Sequence, residues 1–328
     1  MTEQPVCWRT IPFSDIAGIR IGNAQNQHAM TGVTVVLFDC PNAGGVDISG
    51  GGPASRETGL LSPLSNPNSL NALVFSGGSA FGLDAAAGVM RYLEEHGMGY
   101  HVLNTVVPLV CQSCIFDLGL GNGSIRPDAA MGYAACVDAQ RNQPRSGSVG
   151  AGTGAAAGKV NGIAQGEKSG IGYAALEHNG LQVGAMAVVN PFGDVFDHRT
   201  GEKLAGMRTP DRSAYASAAQ ALYAQQGEQS VGANTTLGAV FTNAAFSQAE
   251  MNKIASMARA AFGRCINPVG TMIDGDTIYA FSLGDVQADI SAVGALAAEA
   301  LCLAIEDAVR SSKLADEAFL KLIGSKSE

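Results

Sequence analysis

The sequence predicts an α/β protein built as one compact unit over residues 1–328. Three observations carry this. β-branched apolar runs of strand length are interspersed with longer helical patterns. Several of those helices look apolar on more than one side, as layers packed on sheets would be. The third is composition: with 46% hydrophobic and 15% charged residues, the chain can bury a large core. Its 42 glycines against 6% aromatic residues point to close backbone packing and tight turns.

The elements follow in order. "TGVTVVLFD" (31–39) reads as a strand. "NALVFSGGSAFGLDAAAGVMRYLEEHG" (71–97) reads as strand, glycine turn and helix, with Ser79 near the helix start and Gly97 as its stop. "LQVGAMAVVN" (181–190) is strand-like and is stopped by Pro191. In "SQAEMNKIASMARAAFGR" (247–264), Ser247 and Glu250 have capping-box spacing, and Met251, Ile254, Ala255 and Ala258 recur on one helical face. "TIYAFSLG" (277–284) is another strand, and "ADISAVGALAAEALCLAIEDAVRSS" (288–312) a long, largely buried helix. Residues 140–170 and about 200–233 are polar and rich in Gly, Ser and Gln. The second stretch holds a short helix and then a loop running into Asn234.

Composition also excludes partners. A net charge of −9 without any Lys/Arg run argues against nucleic acid. No apolar stretch reaches the ~18 residues of a membrane span, and the N-terminus lacks the order of a signal peptide. Seven cysteines at irregular spacing fit a reducing compartment, so the expected location is cytoplasmic.

Nucleotide motifs fail on spacing. In "VGAGTGAAAGKVNG" (149–162) the Walker pattern would need Gly at Thr153 and Ser or Thr at Val160. "SGGSAFG" (76–82) does not match a dinucleotide loop, so no cofactor is expected. Cys111 and Cys114 form a Cys-x-x-Cys among apolar neighbours. Without a second ligand pair they read as core cysteines and not as a zinc site, with a redox role left open. The histidines at 28, 96, 101, 178 and 198 show no paired spacing and read as surface or cap residues. No metal is expected, and no Ser-His-Asp triad is supported.

"GANTTLGAVFTNA" (232–244) puts Asn234 and two threonines at the mouth of a strand. A turn is the plain reading. A hydrolase lacking a histidine base and a metal has one other route, an N-terminal nucleophile whose own α-amine, pKa ~7.7–8.0, is the base. Thr235 acquires that amine if its hydroxyl attacks the Asn234 carbonyl and the resulting ester is hydrolysed. "MIDGDT" (272–277) places Asp274 and Asp276 two apart, on one side of an extended segment, where they could hold an ammonium or take its proton. An Asp-Gly hairpin turn is the competing reading there.

Together, "SGGSAFGLDAAAGV", "IFDLG", "GTGAAAGKV", "AVVNPFGDV", "NTTLGAVFTNA", "MNKIASMA" and "DGDTIYAFS", in that order, resemble the L-aminopeptidase/D-esterase and β-aminopeptidase family, which includes nylon-oligomer hydrolases. The resemblance runs along nearly the whole chain. It implies a four-layer αββα sandwich like that of N-terminal nucleophile hydrolases. It also implies a precursor that cuts itself into residues 1–234 and 235–328, and homo-oligomers such as tetramers of the cut pair. By the same resemblance Thr235 is the nucleophile and Asn234–Thr235 the bond cut. Asn190 is the side-chain donor of an oxyanion hole, Lys159 an active-site lysine, and Asp274 and Asp276 the acidic pair. Phe116 stands where some members have Tyr, so a hydroxyl contact is missing from the substrate pocket.

The expected function is a self-processing aminopeptidase acting on small peptides, amides or esters through an acyl-enzyme. The alternatives are a 6-aminohexanoate oligomer hydrolase and acyl transfer of the ornithine-acetyltransferase kind. A non-enzymatic relative is disfavoured because Thr235, Asn190 and the acidic pair are all present.

Overall fold

The computed structural model describes residues 7–66, 69–225 and 234–323. Its principal strands are β1 (Ile19–Asn26), β2 (Thr31–Phe38), β3 (Ala43–Ile48), β4 (Ala72–Ser76), β5 (Val110–Cys114), β6 (Ile171–His178), β7 (Leu181–Asn190), β8 (Thr235–Ala244) and β9 (Thr277–Val286). The helices that cover them are α1 (Ala85–Glu95), α2 (Ala129–Asp138), α3 (Gln248–Ala258) and α4 (Ile290–Arg310), and a last short helix, α5 (Asp316–Leu320), follows.

One sheet runs Arg9–Thr10, β6, β7, β8, β9, β3; all its pairs are antiparallel except β8–β9. The other runs β1, β2, β4, β5, Ser55–Arg56, with only β4–β5 parallel. Parallel neighbours need a crossover, and each of these pairs has one: α3 between β8 and β9, α1 between β4 and β5.

The sheets pack face to face, with Phe38 and Phe75 from one and Phe241, Tyr279 and Phe281 from the other in the shared core. Alternate residues point outward. Val240, Ile278 and Ala280 meet α3 and α4, while Val33, Val35 and Val74 meet α1 and α2. The order helix, sheet, sheet, helix is the expected αββα sandwich. With both faces of every central strand covered, the strands read as unbroken apolar runs. Some of the glycine content answers to this closeness: a Cβ on Gly172 of β6 would stand 2.2 Å from the Ala304 carbonyl oxygen of α4.

Most expected elements fall in place. The Ser247–Glu250 capping box forms in both directions. The helix expected over 247–264 ends at Ala258 and resumes as a separate turn over Ala260–Cys265. Ser79 does not start α1: it has a left-handed φ of 54°, a 3-10 turn over Ser79–Asp84 follows, and the α-helix begins at Ala85. The expected short helix is Ala218–Ala224; the loop expected between it and Asn234 lies at 226–233, outside the described residues.

Cys111 and Cys114 are buried and unpaired in and at the end of β5. Three apart on a strand, they project to opposite faces and cannot share a metal. Burial pushes both thiols up to about 12, away from redox reactivity. Among the described residues, no helix is long and apolar enough to cross a membrane.

Candidate active site

The site lies where three strands of the first sheet end or begin together. Asn190, the last residue of β7, stands opposite Thr235, the first of β8. Just before β8, Asn234 forms a parallel bridge with Asp274. Its N–H donates to the Ile273 carbonyl at 3.0 Å, and its own carbonyl accepts the Gly275 N–H at 2.8 Å. The segment 273–275 is therefore an edge laid along the bond between Asn234 and Thr235, not a hairpin turn. The segment that a hairpin would pair with β9, Ile266–Asn267, bonds Asp194–Val195 instead.

Thr235 is 3% exposed, and its Oγ1 donates to the Asn234 carbonyl oxygen at 2.5 Å. Two donors thus converge on one carbonyl in the uncut chain, the Thr235 hydroxyl and the Gly275 N–H. Gly275 has an ordinary, not positive, φ, and its need is for space. A Cβ there would lie 2.6 Å from Thr235 Oγ1.

The two aspartates sit on either side of this bond. Asp276 accepts the Thr236 N–H at 2.6 Å and the Gly270 N–H at 2.9 Å, so it anchors the backbone beside the nucleophile. Asp274 takes both donors of Thr271 on Oδ2, at 2.9 and 2.6 Å, and its buried Oδ1 has no partner. Burial raises both carboxyls, and the charge of Asp274 raises Asp276 further. The Asn234 side-chain nitrogen is a second buried polar atom without a partner.

Lys159 reaches the site from a glycine-rich loop tied to the end of β7. Gly158 N–H donates to Gly193 O at 2.9 Å and Lys159 N–H to Phe192 O at 3.0 Å. The ammonium donates to Asn190 Oδ1 at 2.6 Å and to the Asn190 carbonyl at 3.2 Å. Burial brings its pKa down to about 7, against the opposing pull of Asp274 and then Asp117. Asn190 Oδ1 also accepts the Ala156 N–H at 3.1 Å, and its Nδ2 donates to the Phe116 carbonyl at 2.9 Å. The amide expected to supply an oxyanion hole is thus committed to Phe116 in the uncut chain, and the backbone donor on the Asn234 carbonyl is Gly275.

Phe116, Lys159, Asn190 and Asn234 line a cavity of about 180 Å³, together with Asp117. Sequence reasoning did not single out Asp117. Its carboxylate accepts the Thr31 hydroxyl at 2.6 Å and the Gly78 N–H at 2.7 Å, and burial lifts it to about 6. A charged residue closing the apolar run "LVCQSCIFD" was the available signal. Lys168 was missed as well. It is buried, donates to the carbonyls of Gly152, Ala155 and Ser169, and is brought to about 7 by burial. Nothing in its polar stretch marks it.

His198 departs from its expected surface position. Its ring is buried, with Nδ1 2.5 Å from Glu306 and Nε2 3.1 Å from Glu299, and Glu299 in turn pairs with Arg199 and Arg264. Cys265 and Cys302 lie close to this ring, and Asp197 is near it as well. No residue of these groups lines the cavity.

The model of Peptidase family S58 matches residues 12–317. This chain belongs to that family. An uncharacterised aminopeptidase of Mycobacterium leprae is 38% identical over 304 residues, covering 85% of this chain and 80% of that one. A 6-aminohexanoate-oligomer endohydrolase of Paenarthrobacter ureafaciens is 31% identical over 315 residues, covering 90% and 84%. The solved L-aminopeptidase D-Ala-esterase/amidase of Ochrobactrum anthropi, described as a new variant of the Ntn hydrolase fold, superposes with a TM-score of 0.69 at 16% identity, over 98% of each chain. As an S58 member the chain is a hydrolase of peptide or amide bonds, and its sandwich is of the Ntn-hydrolase kind.

Proposed function

We propose that this S58 peptidase cuts its own chain between Asn234 and Thr235 and then uses Thr235 as an N-terminal nucleophile on small peptides or amides. The observation that carries it is the Thr235 hydroxyl 2.5 Å from a carbonyl oxygen already held by the Gly275 N–H at 2.8 Å.

In the first stage Thr235 Oγ1 attacks the Asn234 carbonyl carbon. Charge develops on the oxygen that Gly275 holds. The C–N bond breaks, the hydroxyl proton passes to the departing nitrogen, and an ester remains. Water then releases the Asn234 carboxylate and leaves Thr235 with a free hydroxyl and a free α-amine. We assign the binding of that amine, once protonated, to Asp274, a reading supported by its buried, unpaired Oδ1.

In turnover the α-amine takes the hydroxyl proton as the Thr235 oxygen attacks the substrate carbonyl. The substrate C–N bond breaks, the departing amine takes that proton, and water then hydrolyses the ester to free the acid and restore the hydroxyl. Asn190 Nδ2, once released from Phe116, is the proposed oxyanion donor. Lys159, which donates to Asn190 Oδ1, positions that amide. Phe116 adds an apolar wall without a hydroxyl.

Denaturing electrophoresis tests the reading. Purified protein should give two fragments, roughly 24 and 10 kDa of the 33.5 kDa chain, with a new N-terminus at Thr235. Thr235→Ala should stay whole and inactive. An uncut wild-type chain that still hydrolyses amides would rule the mechanism out.

A second reading, hydrolysis of ω-amide oligomers, draws on the Paenarthrobacter relative. Turnover compared on α-peptides, β-peptides and 6-aminohexanoate oligomers separates the two. We further propose a cytoplasmic setting, supported by seven unpaired cysteines, and assembly of the cut pairs into homo-oligomers. The assembly is supported by the exposed apolar side chains of Tyr100, Val102, Leu103 and Val107 on one hairpin.

A further inference from the structure

We infer that the C-terminal segment 316–323 backs the wall of the active-site cavity, and so sets how large an acyl residue the enzyme accepts. The inference rests on the hydrolase reading above, with the cavity beside Asn234, Asn190 and Lys159 receiving the residue whose acyl group is transferred to Thr235.

The outer walls of that cavity are two loops, one contributing Leu120 and the other Ile163. Neither belongs to the two large sheets, so something else must hold them in place. The C-terminal segment does so at both loops. Ile323 bridges Leu120, and the Gly121 N–H donates to the Leu322 carbonyl at 2.6 Å. Phe319, 1% exposed, packs with Leu120, Met30 and Ala156, and Ile163 joins the same cluster.

A buried arginine ties the second loop to the segment. Arg212, 8% exposed, donates from Nη1 to the carbonyls of Ala164 and Gly166 at 2.8 and 3.0 Å, and from Nη2 to Asp316 at 2.6 Å. Its guanidinium also lies over the Phe319 ring, 5.4 Å from the centroid.

Behind this partition lies a second cavity of about 940 Å³, lined by Gly121 and Leu320–Ile323 and sharing Gly119 with the first. The first, at about 180 Å³, is small beside the ~300–1,000 Å³ of pockets that hold drug-sized ligands. Leu120, backed by Phe319, therefore separates a small space beside Asn234 and Asn190 from a large one. The small space suits short acyl residues such as alanine or β-alanine. Loss of the backing lets Leu120 and Ile163 move aside and joins the two spaces, which admits an aromatic residue.

The test uses the full chain, wild type and two variants, with alanine and phenylalanine p-nitroanilides as probes. Phe319→Ala removes the backing. Asp316→Asn loosens the arginine tie at an exposed position (its side chain is 42% exposed) and keeps the test alive if Phe319→Ala fails to fold. The expected result is a rise of about tenfold or more in the phenylalanine-to-alanine ratio of kcat/KM for Phe319→Ala, and a smaller rise for Asp316→Asn. A purely structural role would lower both substrates together. An unchanged ratio in folded, self-cut protein overturns the wall. If wild type hydrolyses neither amide although it is cut at Thr235, the hydrolase reading is what fails, and the wall falls with it.

Discussion

Gly275 shows how narrow the tolerances are at the scale of single residues. Its N–H holds the Asn234 carbonyl, and its missing side chain leaves room for the Thr235 hydroxyl. Gly275→Ala should therefore slow self-cleavage by about 10²-fold, since a displacement near 1 Å at a reacting atom can cost that much. A time course of the two fragments measures it; cleavage at the wild-type rate would remove Gly275 from the argument. Asp117 allows a separate check through pH. Its carboxyl rises from 3.8 to about 6, so the folded chain holds that proton more tightly than the unfolded one. This contribution to stability is full below pH ~4 and is lost as pH rises through about 6. The stability of wild type relative to Asp117→Asn should fall by up to ~3 kcal/mol across that window, by denaturant unfolding at each pH. A flat difference would mean the carboxylate is well compensated in the fold. Thr235, Asn234 and the Asp pair each read as a turn when taken alone; they were legible only beside the missing histidine base and the ordered motifs of the family resemblance. Gly275 hid inside a common turn dipeptide. Asp117 and Lys168 hid because burial, which gives them their altered pKa values, is created by segments far away in sequence.

The same contrast holds for elements. Strands and helices with strong local signals appear where their patterns put them, β7 with the expected ends, and α3 with the capping box that Ser247 and Glu250 announce. Ser247 accepts the Glu250 N–H and Glu250 accepts the Ser247 N–H, at 3.4 and 2.8 Å. Ser247→Ala should lower unfolding free energy by about 1 kcal/mol while leaving self-cleavage unchanged, because the cap lies at the far end of β8 from Thr235. A denaturant titration and the fragment gel read the two halves of this statement. A loss well below that range would show the box to be ornamental. Elements that the sequence misplaces are those whose boundaries depend on partners. α1 starts late because Ser79 takes a left-handed φ and Gly82 lies close against the Gly77 carbonyl, where a Cβ would stand 1.9 Å away. The hairpin before β9 is absent because Ile266–Asn267 has a better partner in Asp194–Val195. Tertiary context decides such cases, and local propensity does not carry it.

At the scale of the molecule, the alternation of strands and helices made an α/β class readable, but the layer order came from the resemblance alone. Strand order could not be read because β8 pairs with β7 across the 200–234 region and with β9 across α3, and no local pattern encodes such pairings. That same order bears on what self-cleavage does to the whole protein. The chain after the cut would hold β8, β9, α3 and α4, while β7 and β3, on the two sides of β8 and β9, belong to the other piece. β8 is hydrogen-bonded along its length to β7, and Leu237, Ala239 and Phe241 lie in the core between the sheets. Neither piece can leave without exposing both cores, whose apolar area contributes about 25 cal/mol per Å² to keeping them together. The cut protein should therefore elute from a gel-filtration column as one species, with both fragments in each fraction, at the position of uncut Thr235→Ala. On heating, it should lose both fragments' structure in a single transition. Separation of the fragments in native buffer would contradict the interleaved sheet, and a second, independent melting step would mean that the 1–234 piece keeps a core of its own.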